Sequence, residues 1–359
     1  MAPKAILVHN ASAGIREPSL EDLTAMIEAA GYRVKYRNSK APDLEAKLDK
    51  QGDLVVAAGG DGTIAKVAKI LLSKPEQGAP LAILPIGTSN NIALSLGITE
   101  PPEALIPRWN ETPLRKLSHG IAHAHWGEQR FIEGVGLGSL AEATTPKPKQ
   151  TKDRSAKGRR RRITEGRIAF RHAIKHAKPE RLYVTVDGTR IEDEVVLIEI
   201  LNIAQVGPRL RLAPNADPGD NLLDVAYVTT EHRNALLAWL DALIEDDLDA
   251  GVVGPPPVAV VPGAKVTIAW NGMDLRIDDK FPLMPGQATA PSADTKNGKK
   301  KKTSDEADEK AKRDKVDLVT IEIAERQLEI LAPAGKANGV AAKRAGKKEK
   351  GRWEKPRAI

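Results

Sequence analysis

The sequence contains no cysteine. A disulfide framework and a zinc site built on thiolates are thereby excluded. No uninterrupted apolar stretch approaches the ~20 residues that a membrane-spanning helix needs. The first residues, Met1-Ala2-Pro3-Lys4, run straight into a strand pattern and do not read as a signal peptide. These absences predict a cytoplasmic protein. Aromatic residues make up only 3% of the chain, and none interrupts the basic run between Lys147 and Arg162. Base stacking along that run has no support, which counts against a nucleic-acid partner.

What is present is uneven in charge. The chain carries a net +7 over 359 residues, a length sufficient for two domains with separate cores. Residues 147–162 alone hold nine basic residues and one acidic one, and residues 334–359 hold nine and two. The remainder is therefore acidic, at −8. The basic segments favour anionic surfaces of any kind, or are simply solvated. Arg159 to Arg162 lie in a basic insertion, residues 146–162, read as a loop that leads into a helix over Glu165 to Lys178.

The most informative segment is Gly59-Gly60-Asp61-Gly62-Thr63. It joins an apolar strand run, Leu54 to Ala58, to a helical run, Thr63 to Leu72. A glycine-rich turn between strand and helix offers backbone N–H groups and the helix dipole to a phosphate. The aspartate repels phosphate, so it needs another reason. Either a Mg²⁺ ion is present, or the carboxylate holds backbone N–H groups of the loop.

The first third of the chain alternates strand and helix signals, which predicts a parallel sheet covered by helices. The loops Asn10–Gly14, Gly59–Thr63 and Gly87–Asn91 all follow strands, and ligands bind at the carboxyl ends of such strands. After about residue 118 the pattern becomes β-rich, with alternating Leu182, Val184 and Val186 and a hairpin turn at Asp187-Gly188. A helix over His232 to Leu248 interrupts it. Residues 286–315 and 334–359 read as disordered by composition. The expected domains are thus 1–118, an α/β unit, and 119–333, a mostly antiparallel β-sandwich whose last strand can return to the first unit. His119, His123 and His125 form a loose group with no cysteine nearby and are read as structural or exposed.

The Gly59–Thr63 turn, the Gly87-Thr88-Ser89-Asn90-Asn91 turn and the change from α/β to β together resemble the diacylglycerol kinase catalytic family, which includes bacterial lipid kinases and sphingosine kinases. The resemblance runs from about Lys4 to Pro333. Asn10-Ala11-Ser12-Ala13-Gly14 is similar to the family's N-P-x-S-G segment, and Phe131 to Gly138 to the segment entering the β domain. Asn202, Gly207 and Ala213 to Asp220 are similar to its N…G…A-P-x-A…D-G stretch. The resemblance implies an ATP- and Mg²⁺-dependent lipid kinase acting on diacylglycerol or a related lipid. Gly59, Gly60, Asp61, Gly62 and Thr63 would hold the phosphates, with Asp61 acting on the metal–phosphate assembly. Asn10, Ser12, Thr88 and Asn91 would line the same cleft. Asp217, Asp220 and the carbonyl of Leu222 would hold a structural Mg²⁺. The implied partner is a lipid at the membrane surface, with peripheral contact to the inner face through the basic segments. The oligomeric state stays open, a homodimer included.

Three positions depart from the family pattern. Asn91 stands where a carboxylate is expected. Lys280 stands where the glutamate that deprotonates the lipid hydroxyl is expected, and a protonated lysine cannot accept a proton. Asp278 or Asp279 is then the candidate base. Asn221 replaces a glycine, a mild change because asparagine tolerates a left-handed backbone. The first two changes keep a catalytically impaired nucleotide- or lipid-binding relative as an alternative. NAD kinase, which shares the Gly59–Thr63 type of turn, is a third reading.

Overall fold

The computed structural model describes residues 2–10, 18–48, 52–74, 78–140, 155–245, 253–270, 273–280 and 317–334. Ser12, the Lys147–Arg154 part of the basic run, and the stretches at 286–315 and 335–359 lie outside the described residues.

Strands β1 (Lys4–His9), β3 (Leu54–Gly59) and β4 (Leu81–Pro85) are apolar along almost their whole length and buried on both faces. That is what central strands of a parallel sheet require when helices cover both sides. β2 (Arg33–Asn38) alternates in exposure and forms the edge. Two late elements complete the sheet: β16 (Leu328–Leu331) runs parallel to β4, and β5 (Leu114–Leu117) pairs antiparallel with β16. The strand order is β2-β1-β3-β4-β16-β5. On one face Ile6, Val8, Val55 and Ala57 pack against Ile64, Val67, Ala68 and Leu71 of α3 (Asp61–Leu72). On the other, Ala5, Leu7, Val56 and Ala58 meet Leu23 and Ile27 of α1 (Leu20–Ala29), which Ser19 and Asp22 start with a capping box. α2 (Leu44–Leu48), α4 (Asn91–Ser95) and α5 (Pro102–Leu105) are short.

Among the described residues the second sheet has ten strands, all paired antiparallel. Its centre is the long β10 (Thr189–Leu201), which turns back from β9 (Glu180–Val186) at Asp187-Gly188. Both turn residues have positive φ, 46° and 85°, as a two-residue hairpin of this hand demands. The second half of β10 pairs with β8 (Gly134–Gly138), and β8 pairs with β14 (Leu275–Ile277). β11 (Leu223–Thr229), β12 (Ala259–Gly263), β13 (Lys265–Trp270), β15 (Asp317–Ile323), β6 (Gly120–Ala124) and β7 (Gly127–Phe131) supply the rest. One apolar cluster runs through Phe131, Val135, Val184, Ile200, Val225, Ile268 and Ile321. The opposite side of β10 and β11 is covered by α6 (Ala156–His176) and α7 (Arg233–Glu245) through Phe170, Ile174, Leu236 and Leu240.

One expectation changes here. Arg159 to Arg162 are not in a loop: α6 begins at Ala156, capped by Ser155, and all four arginines are helical. His123 and His125, read as structural or exposed, lie at the sheet surface beside Glu322 at 3.5 Å and Asp317 at 3.0 Å, and His125 also stacks on Trp270. Both histidines serve the sheet surface. Among the described residues no helix is long and apolar enough to cross a membrane.

Candidate active site

β3 and β4 lie side by side with Gly59 opposite Pro85, so the turns that follow them emerge together. They touch backbone to backbone. A Cβ on Gly87 would lie 2.2 Å from the Gly60 Cα, and a Cβ on Gly59 would strike Thr63 at 2.6 Å. Asn90, left-handed at φ 56°, closes the second turn by accepting the Gly87 N–H and donating to the Pro85 carbonyl, each at 2.9 Å. Asp61 joins the two turns: its Oδ1 accepts the Ile92 N–H at 2.9 Å, in the first turn of α4. Of the two reasons open for this aspartate, the binding of backbone N–H groups is therefore met by the protein itself. Burial raises its carboxyl pKa, against the pull of the Ile92 hydrogen bond.

A cleft of about 410 Å³ opens over this junction, lined by Asn10, Gly60, Asp61, Thr63, Lys66 and Thr88, and by Asp279 and Lys280 from the second sheet. Asn10 Nδ2 donates to Thr63 Oγ1 at 3.2 Å. Asp279 is exposed, and its Oδ2 lies where a Cβ on Gly62 would meet it at 3.4 Å. The structure thus brings Asn10, Gly59 to Thr63, Thr88 and Asp279 together. The loop after β10 and helix α6 pack against the second turn. Asn91 Nδ2 donates to the Gly207 carbonyl at 2.9 Å, Arg209 Nε donates to the Ser89 carbonyl at 3.0 Å, and Arg162 of α6 reaches Thr88 Oγ1 at 3.4 Å. Asn91 Oδ1 is buried with no protein donor.

Asp278 is not disposed as a base. It is 3% exposed and left-handed at φ 55°, in the turn that joins Ile277 to Lys280. Its Oδ1 accepts the Ile132 and Glu133 N–H groups at 3.0 and 2.8 Å, and its Oδ2 is paired with Lys69 Nζ at 2.7 Å. The residue is a tie between α3 and the second sheet. Three donors occupy its two oxygens, which leaves Asp279 as the open carboxylate of the pair.

Glu133 was missed by sequence reasoning. It is 6% exposed, and its carboxyl pKa stands well above the usual value because it is buried and faces Asp61 and Asp278. The one signal was a lone acid in the apolar run Phe131 to Gly138. Beneath it, Arg276 is ion-paired with the fully buried Glu199 and donates to the Asp278 carbonyl at 2.6 Å. Burial pushes Glu199 up to about 7 despite that pairing.

Asp217, Asp220 and Leu222 lie elsewhere, on a loop packed against β5. Asp217 Oδ1 accepts from Arg115 and from the Gly219 N–H, and Asp220 Oδ1 accepts the Leu222 N–H, all at 3.0 Å. No group of three or more metal-ligating acids or histidines occurs among the described residues.

A family model for the diacylglycerol kinase catalytic domain matches residues 4–120. A second, for the YegS C-terminal NAD kinase beta sandwich-like domain, matches residues 155–294. The chain thus carries a diacylglycerol kinase catalytic-type domain followed by a YegS C-terminal-type domain. Diacylglycerol kinase of Bacillus subtilis (strain 168) is 28% identical over 235 residues, covering 62% of this chain and 72% of the relative. A protein of Serratia proteamaculans (strain 568) named "Probable lipid kinase YegS-like" is 26% identical over 261 residues, covering 70% and 81%. The crystal structure of a diacylglycerol kinase from Bacillus anthracis shares the fold, with a TM-score of 0.58, 17% identity and coverage of 92% and 97%.

Proposed function

We propose that this chain is a lipid kinase that transfers the γ-phosphoryl group of ATP to the hydroxyl of diacylglycerol or a related lipid. The observation that carries this reading is the paired turn at Gly60 and Gly87, which opens into a cleft shared by both sheets. Phosphoryl transfer asks for positioning and charge neutralisation. The Gly60–Gly62 backbone is accessible to the phosphates, and Lys66, Lys40 and Lys280 around it are cations that can balance their charge. The lipid oxygen forms a bond to the γ-phosphorus while the bond to the β–γ bridging oxygen breaks, and ADP departs with that oxygen. Asp279 receives the hydroxyl proton, because Asp278 is committed to three donors.

The cleft fits magnesium in the way that ion usually binds nucleotides, through one or two carboxylates and the phosphate oxygens. Asp61 is the lining carboxylate that would hold it, with Asp279 kept as the proton acceptor. The ion would supply further neutralisation of charge between the phosphates. The exposed part of α6, with Arg160 and Arg161, supports docking on anionic headgroups at the cytoplasmic face of a membrane.

The test is transfer of labelled phosphate from ATP to a panel of diacylglycerol, sphingoid bases, phosphatidylglycerol and NAD. Transfer to a lipid is expected, with Asp279→Asn about 10²-fold or more slower, the usual loss when an acid–base group is removed. Transfer to NAD alone overturns the reading. Lys280 and Asn91 favour a second reading, a nucleotide- or lipid-binding protein without transfer. Nucleotide binding with no transfer to any acceptor would select it.

A further inference from the structure

We infer that the loop at Ala213–Leu222 is closed by Arg115 and a set of neutral hydrogen bonds, and not by a divalent cation. A hard cation at this loop needs about six oxygen ligands with their lone pairs free. One carboxylate oxygen of each aspartate and the carbonyls of Pro218 and Gly219 are already engaged. Asp217 Oδ1 holds two donors, the Arg115 guanidinium and the Gly219 N–H, both at 3.0 Å. Arg115 is itself fixed, its other terminal nitrogen reaching the carbonyls of Leu96 at 3.3 Å and Pro333 at 3.5 Å. Its side chain is only 17% exposed, so the pair is more than a surface contact.

The rest of the loop is tied in the same manner. Gln327 Nε2 donates to the Gly219 carbonyl at 3.1 Å and to Ser118 Oγ at 2.9 Å. Ser118 Oγ donates in turn to Asn221 Oδ1 at 3.1 Å, and the Ser118 N–H to the Pro218 carbonyl at 2.6 Å. Asp220 Oδ1 receives the Leu222 N–H, which keeps this aspartate within its own turn. The loop also sits hard against β5: a Cβ on Gly219 would lie 2.7 Å from the Lys116 carbonyl oxygen. One permanent positive charge, a guanidinium, stands beside the aspartate that a metal would otherwise neutralise. Because β5 belongs to the first sheet and the loop leads into β11 of the second, this cluster joins the two sheets without an ion. A magnesium requirement in any activity would then belong to the phosphate cleft alone.

The experiment uses the full chain without nucleotide, so it does not depend on the proposed activity. Thermal unfolding is followed after exhaustive dialysis against EDTA and again with millimolar MgCl₂. The same midpoint is expected in both, whereas a saturated site raises the midpoint by several degrees through mass action. Arg115→Met is expected to unfold several degrees lower in EDTA and to regain part of the loss with MgCl₂, because Asp217 is then free for a cation. A wild-type midpoint that drops several degrees in EDTA and returns with MgCl₂ overturns the inference. So does Arg115→Met with a wild-type midpoint in EDTA. If Arg115→Met yields no folded protein, the wild-type comparison alone decides.

Discussion

Gly87→Ala is the sharpest perturbation of the junction between the two turns. Gly87 is outside the left-handed region, so alanine suits its backbone and only space opposes it. The new Cβ would sit 2.2 Å from the Gly60 Cα, 2.9 Å from the Gly60 nitrogen and 2.7 Å from Asn90 Oδ1. Carbon atoms rest at about 3.5–4.0 Å, so the turns must separate by about 1.5 Å. Two of the three obstacles are backbone, and the third is a side chain held by its own hydrogen bonds. Overpacking of this kind costs about 1–3 kcal/mol. In a domain of this size that lowers the unfolding midpoint by about 2–4 °C per kcal/mol. Because a misplacement of about 1 Å at a reacting centre costs about 10²-fold in rate, kcat/KM for ATP should fall at least that far. Calorimetry and steady-state kinetics measure the two effects. Gly78→Ala, where a Cβ meets nothing within 4 Å, is the control. A Gly87→Ala protein with wild-type midpoint and wild-type kinetics would refute the claim that these turns form one phosphate seat.

Two further outcomes follow from the buried acids. Glu133 and Glu199 are both raised above the ordinary glutamate pKa of 4.5, Glu199 to about 7. Their contribution to stability is complete below that ordinary value and is lost as pH rises through the folded values, so urea midpoints should fall between about pH 4.5 and 7. Glu133→Gln, which mimics the protonated form, should flatten part of that slope. Asn91→Asp restores the family's carboxylate but removes the donor to the Gly207 carbonyl and sets a second acid beside Asp61. It should lower stability by about 1–3 kcal/mol, read by the same urea titration, whatever it does to transfer.

The parts of this fold that were legible in the sequence are those fixed by near neighbours. Gly59 to Thr63 follow an apolar strand and open a helix within five residues, and Asp187-Gly188 sits between two alternating runs. The start of α6 was not legible. Its buried face includes Gly158, Ile163, Arg167 and Phe170, and a buried arginine and a glycine at core positions hide the apolar stripe inside a polar run. Arg167 pays for its burial by donating to the carbonyls of Leu243 and Pro208, partners from other elements. The site was half legible for the same reason. The turns could be read, but the roles of the acids could not. Asp278 finds Lys69 across 209 residues, and Asp217 finds Arg115 across 102. Glu133 gains its high pKa first from burial and then from residues 61 and 278, which no local pattern brings near it.

The same distant contacts explain how the cleft tolerates asparagine at 91 and lysine at 280. The acids of this site largely hold structure. Asp61 binds the start of α4, and Asp278 fastens the second sheet to α3 through Lys69. An amide at 91 serves that architecture better than a carboxylate, since its N–H groups face the Gly207 carbonyl and its neighbour Asp61 is already an acid. Lysine at 280 lies beside the exposed Asp279 on the lip that also carries Lys66. There it adds charge of the sign that a triphosphate attracts, while the carboxylate one residue earlier is the acceptor that the proposed transfer would use. Both departures therefore shift the cleft towards positive charge without breaking any contact that shapes it. Such a cleft should hold nucleotide firmly, and the cost should fall on the proton-transfer step, so kcat is the constant in which Lys280→Glu ought to be felt.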